Sequence, residues 1–279
     1  MSTSNFSSGN QIPPMKPCPT CGVWHGGDSS YCFSHQLMKY TLLILTLFLA
    51  SCASQPATCV AIRPMSQAPA GTDSLWAYNR DFWPQKSTLR VKFIEGSKSQ
   101  QDNAWRRFQK VDALVNLTFV RVPSGEAEIR VGFDPQGGHW SYVGKYCAKI
   151  PQAEKTMNLA LTGGVFGDRS NEWDRVAIHE TLHAIGFQHE HQSPQNTIKW
   201  NVPVVLAEYR ASQGWSDAEI YDQVLNRSDA KDFNGTAFDP KSIMEYPISA
   251  KETLDGFSVG WNRKLTETDI ATIRRIYPQ

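Results

Sequence analysis

The chain has 279 residues, with 28 Lys and Arg against 27 Asp and Glu. That balance excludes a generally basic surface for nucleic acid and a polyacidic tail. Hydrophobic residues at 41% and charged residues at 20% exclude a disordered chain and a multi-span membrane protein, and six cysteines are too few for a disulfide scaffold.

Residues 1–37 carry Cys18-x-x-Cys21, His25, Cys32 and His35. Such a set admits a small zinc ribbon. Few apolar residues accompany it, so the segment reads instead as an upstream extension before a second start at Met38. There Lys39 precedes an apolar run, Leu42 to Ala50. The run is far shorter than the ~20 residues of a membrane-spanning helix. It fits the apolar core of a secretory signal over residues 38–52. Leu49-Ala50-Ser51-Cys52 resembles a bacterial lipobox, which makes Cys52 the expected lipid attachment site. Ala53 stands where an Asp would retain a lipoprotein in the inner membrane. An exported chain, anchored at the outer membrane or cell surface or secreted, is expected. Residues 53–85 are rich in Ala, Ser, Gln, Pro and Thr and read as a linker. Cys59, within it, and Cys147 either pair in an oxidising compartment or remain two thiols.

Residues 86–279 read as one domain. Leu89, Val91 and Phe93 alternate with Arg90 and Lys92, which predicts a strand. Trp105, Phe108, Val111 and Leu114/Val115 recur at helical spacing. Two further strands are expected at Leu117–Val122 and Ile129–Phe133. Met157–Leu161 reads as an exposed edge strand before Gly163-Gly164. A long helix is predicted from about Asn171 to Ile185, buried through Trp173, Val176, Ala177 and Leu182. Ser216-Asp217-Ala218-Glu219 has the form of a capping box, and a last helix starts near Thr266. The fold class is therefore α+β: a small twisted sheet with a helix in the first lobe, mostly helix and loop in the second.

The chemistry lies in His179-Glu180-Thr181-Leu182-His183-Ala184-Ile185-Gly186-Phe187-Gln188-His189. On a helix, residues i and i+4 share a face, so His179 and His183 can address one metal ion. Glu180 stands beside them, where it can reach a water but not the metal. A straight helix would carry His189 about 15 Å along its axis from His179. The chain must therefore turn back, and Gly186 is the residue able to end the helix sharply. Three neutral imidazoles leave an open position on Zn2+, as in a catalytic site.

This pattern, H-E-x-x-H-x-x-G-x-x-H, resembles the metzincin metalloproteases. Ser242-Ile243-Met244-Glu245-Tyr246 resembles their Met-turn, and Tyr246, two residues after Met244, points to the astacin family. Phe187, Glu190 and Trp140-Ser141-Tyr142-Val143-Gly144 also resemble astacin segments. The resemblance implies a two-lobed zinc endopeptidase, with His179, His183 and His189 on one zinc per domain. It implies Glu180 as general base and acid, Met244 as an apolar floor, and Tyr246 as a further ligand that swings to stabilise the intermediate. It also implies a protein or peptide substrate bound extended along an edge strand, here Met157–Leu161. A monomer without nucleic acid is expected. Alternatives are a matrixin-like peptidase in which Tyr246 only packs, and a non-catalytic lipid-anchored zinc-binding protein. Astacins usually carry His at the position of Glu245 and two disulfides; this chain departs from both, and no inhibitory aspartate motif is evident. Glu190 is left open between a structural carboxylate and a partner for a freed amino terminus. His191 is expected at the surface and His139 in a loop.

Overall fold

The computed structural model describes residues 59–62, 81–161, 170–227 and 237–279. The Cys18–His35 cluster, the signal with Cys52, and Gly163-Gly164 lie outside the described residues.

Strand β2 (Thr88–Phe93) forms where the alternation predicts it, with Leu89 and Val91 fully buried. Helix α1 (Lys98–Asp112) begins a full two turns before its apolar stripe. Ser97 sets that start: its hydroxyl accepts from the Gln100 backbone N–H while the Gln100 side chain accepts from the Ser97 N–H. Strands β3 (Thr118–Arg121), β4 (Ile129–Gly132), β5 (His139–Tyr142) and β6 (Met157–Asn158) complete the half.

The sheet has six strands in the order β1-β5-β6-β4-β2-β3, where β1 is Cys59–Ile62. Its pairs are parallel except β5 against β6, where Trp140 lies opposite Asn158. Two expectations are corrected here. Met157–Leu161 is not an edge: β6 lies between β4 and β5, and Met157 and Leu159 are fully buried. Nor is the lead-in only a linker. Its Cys59–Ile62 segment pairs with the outer edge of β5, Cys59 opposite His139 and Ile62 opposite Tyr142.

The predicted long helix is present as one continuous run. It begins as α2 (Ser170–Trp173), passes through a π-helical turn at Asp174–Ile178 and ends as α3 (His179–Ala184). Helices leave their last carbonyls without internal partners. Here the Ala184 carbonyl accepts from the Trp83 indole at 2.9 Å and the Ile185 carbonyl from the Tyr277 hydroxyl at 2.7 Å. The ordered domain thus begins at least at Asp81, before the expected residue 86, because Trp83 is needed to close the site helix.

Beyond it lie α4 (Val202–Gln213), α5 (Asp217–Ile220) and α6 (Glu267–Ile276). The predicted capping box, Ser216 with Glu219, is formed, and Thr266 with Asp269 makes a second at the predicted start of the last helix. The α+β reading in two lobes holds. One apolar cluster joins the sheet, α1, α3 and the α6 residues Ile273 and Ile276, with Tyr277 just beyond; a smaller one gathers Val205, Tyr209, Ile220, Val224 and Tyr246.

Candidate metal centre

The site is built where α3 stops. Gly186 takes φ +111, a conformation that L side chains rarely adopt, and a Cβ there would approach the Phe82 ring to 2.9 Å. The Gly186 N–H donates to the His183 carbonyl and the Phe187 N–H to the Leu182 carbonyl, closing the turn. The reversed chain brings the Phe187 carbonyl back to His183 Nδ1, 2.7 Å away. On the other side, His179 Nδ1 meets the carbonyl of Ile243 at 2.9 Å.

Both contacts fix tautomers. A ring nitrogen facing a carbonyl must carry the proton, so Nε2 of each ring keeps a bare lone pair. His183 Nε2 nevertheless lies 3.1 Å from His179 Nε2 and 3.0 Å from His189 Nε2. Acceptors directed at one another in a buried space need a cation between them. A tetrahedral zinc with bonds of 2.0–2.1 Å sets its nitrogens about 3.3 Å apart, so the three rings fit that ion. The three donor atoms form one group within 4.8 Å. Burial and the neighbouring His183 hold His179 and His189 well below the usual imidazole pKa, in the neutral form that binds metal.

Glu180 is fully buried, and neither carboxylate oxygen accepts from an N–H or O–H group; its polar neighbour is the Cys59 thiol. Such a carboxylate beside three convergent imidazoles marks where a metal and its water belong. Burial pushes its carboxyl up to about 8. A bound divalent cation acts in the opposite sense and favours the ionised form.

The Met-turn lies beneath. Asp269 holds it: one oxygen accepts from the Ser242 hydroxyl at 2.6 Å and the other from the Ile243 N–H at 3.1 Å. The Met244 carbonyl accepts from the Glu190 N–H, and Met244 itself is buried. Tyr246 packs against the third histidine, with ring centroids 4.2 Å apart and the planes tilted by 54°. Its hydroxyl donates to the carbonyl of Cys59.

The histidines outside the set are not where they were expected. His191 is fully buried, with Nε2 2.9 Å from the Gln223 carbonyl and Nδ1 3.7 Å from Glu245. Burial lowers its pKa to about 4. His139 lies in β5, accepts from the Ala160 N–H at Nδ1, and is lowered to about 3 by burial and then by Arg175. Glu190 accepts from the Asp239 N–H, and burial raises it to about 8. Cys59 and Cys147 are both buried free thiols.

Three site residues escaped the sequence reading. Asp269 had a visible signal, the third position of a capping box, but its second task appears only in three dimensions. Arg175 and Cys59 had none beyond residue type.

Fold and site together define a zinc metallopeptidase of the metzincin kind. Residues 75–278 match the model of the astacin peptidase family. A solved structure described as "Structure of myroilysin" is 34% identical, covering 73% of this chain and 98% of that one with a TM-score of 0.68. A second, "Crystal structure of myroilysin", is 31% identical, covering 81% and 93% with a TM-score of 0.60. No curated protein sequence matches the chain. The chain belongs to the astacin family and is a zinc metalloendopeptidase.

Proposed function

We propose that this enzyme cleaves proteins bound in extended form, with Glu180 as general base and acid and Tyr246 as the oxyanion donor. The observation that carries this is the convergence of three Nε2 lone pairs, at 3.0–3.1 Å, beside a buried carboxylate that accepts from no N–H or O–H group. His179, His183 and His189 would hold zinc, which when bound supplies a Lewis acid and lowers the pKa of its water toward 7.

Glu180 takes the proton of the attacking water and delivers it to the leaving amine nitrogen. Burial favours its protonated form and a bound cation its ionised form, the two states that these tasks require in turn. The Tyr246 hydroxyl donates to a backbone carbonyl in the cleft, that of Cys59. The same contact to a scissile carbonyl would strengthen as negative charge develops on oxygen. The outer edge of β5, occupied by β1 in this structure, is where an extended substrate would pair, because the cleft already accepts a strand there. The domain would be exported and lipid-anchored through Cys52, a reading that rests on the lipobox alone.

The test is digestion of a peptide library by zinc-loaded and chelator-treated enzyme, with metal content measured on the same samples. One zinc per molecule and chelator-sensitive cleavage are expected. Cleavage that survives complete zinc removal overturns the proposal.

A further inference from the structure

The site helix carries a buried cation just before its first histidine. Arg175 lies in the π-helical turn Asp174–Ile178, four residues ahead of His179, and is 3% exposed. Such turns are rare and recur at functional sites. The guanidinium is held on two sides. The Glu172 carboxylate accepts from Nε at 3.0 Å and from Nη2 at 2.6 Å, and the Trp261 ring covers the face, 4.3 Å away. The remaining nitrogen, Nη1, is directed into the cleft, 3.6 Å from the Cys59 sulfur.

That sulfur marks the reacting position, because it lies within 4.8 Å of a Glu180 oxygen and of a His179 nitrogen. Two donors therefore converge on one residue of β1. Arg175 Nη1 reaches its sulfur, and the Tyr246 hydroxyl reaches its carbonyl. A substrate group and a water seated in this place meet both. Burial dominates the titration of Glu180 and His179, and the Arg175 charge acts on each of them.

We propose that Arg175 is a further catalytic residue, whose Nη1–H donates to the oxygen of the attacking water beside Glu180. This rests on the zinc peptidase reading with Glu180 as base. A tetrahedral intermediate carries two oxygens, one from the scissile carbonyl and one from water. Tyr246 is placed for the first and Arg175 for the second. Glu180 accepts the water's proton, an oxygen lone pair forms the new C–O bond, and the carbonyl π pair moves onto its own oxygen. The C–N bond then breaks, and Glu180 returns the proton to nitrogen. Arg175 keeps its proton throughout, since a guanidinium stays charged in proteins. It is a fixed positive donor that favours the ionised water over the neutral one. Recognition of an acidic substrate side chain fits less well. A carboxylate is matched by the two-pronged fork of an arginine, and here Glu172 already occupies that fork, which leaves Nη1 for a single oxygen.

The zinc-loaded full chain is compared as wild type, Arg175→Met and Glu172→Gln/Arg175→Met; the double variant leaves no carboxylate without its partner. Zinc content and far-ultraviolet circular dichroism are measured on each. Turnover of peptides with and without acidic side chains should fall alike, by about a hundred- to a thousandfold, with KM within about twofold and zinc and fold unchanged. A second readout needs no turnover. A phosphinic peptide presents two oxygens on a tetrahedral phosphorus, and calorimetry should show it losing affinity by a similar factor, while a product peptide binds as to wild type. Turnover within about threefold of wild type, or an unchanged phosphinate affinity, overturns the proposal. So does loss of zinc or fold in both variants, which would make Arg175 part of the scaffold, and so does a loss confined to acidic substrates, which would make it a specificity residue. A wild type whose cleavage survives complete zinc removal overturns the reading beneath it instead.

Discussion

On the proposed mechanism Glu180 moves protons and Tyr246 donates to the oxyanion, and substitutions separate the two tasks. Glu180→Gln keeps the volume of the side chain but cannot accept a proton. Zinc content should be unchanged while peptidase turnover falls about a hundred- to ten-thousandfold. Steady-state kinetics with metal analysis checks this, and an active Glu180→Gln enzyme would move the base elsewhere. Tyr246→Phe removes only a donor. Values of kcat and kcat/KM should fall together by about a hundred- to a thousandfold with KM little changed. A loss under about threefold would make Tyr246 a packing residue, as in the matrixin-like alternative. Glu190 predicts a pH effect. Its carboxyl is raised from an ordinary 4.5 to about 8, chiefly by burial, with Asp269 and Asp239 adding repulsion. The fold therefore favours the neutral acid, and stability contributed below pH 4.5 is lost as pH rises through about 8. Glu190→Gln does not ionise and can still accept from the Asp239 N–H. On an inactive Glu180→Gln background, its Tm should gain on the parent as pH is raised from about 5 to about 9. A gap that stays constant would mean that Glu190 is ionised in the fold, as pairing with an amino terminus requires.

At the scale of elements, the site depends on two closures. One is the end of α3, where Gly186 turns the chain and Trp83 and Tyr277 take the last carbonyls. The other is α6, whose Asp269 caps its own helix and also holds the Met-turn. Asp269→Ala should cost about 1 kcal/mol for the cap and a further 1–3 kcal/mol for the buried donors left unpaired. Because the Ile243 carbonyl orients His179, zinc affinity should fall as well, by about ten- to a hundredfold. Denaturant titration and chelator competition measure the two losses; a destabilised variant with unchanged zinc affinity would confine Asp269 to the scaffold. These elements show what a sequence discloses. The zinc helix, the turn at Gly186, the Ser216 capping box and the helix start at Thr266 are local patterns, set by residues within a few positions of one another, and they were legible. The sheet order was not, because strand pairing joins residues far apart in sequence. Hence Met157–Leu161, apolar and followed by glycines, read as an edge although it is interior. His191 read as a surface residue because nothing local reports that α5 and the turn after it cover it. Cys59 stands in a stretch whose composition is that of a linker, and only pairing with β5 reveals its place.

For the whole molecule, export and anchoring rest on Cys52, and Cys52→Ser is the corresponding test. On the lipobox reading, the variant should accumulate unprocessed or leave the membrane fraction, and it should carry no lipid label. Unchanged fractionation, with no label on the parent either, would end that reading. No helix among the described residues is long and apolar enough to cross a membrane.

The short distance along the chain from Cys52 to β1 then acquires a meaning. Cys59 lies seven positions after Cys52, a span that reaches at most about 25 Å when fully extended. On the lipid-anchor reading, β1 and the edge of β5 that it covers stay within that reach of the lipidated residue. Strand and anchor lie on the same side of any cut between Ile62 and Asp81. On that reading, a single such cut would leave both behind at the membrane and send the rest of the catalytic domain into the surrounding fluid.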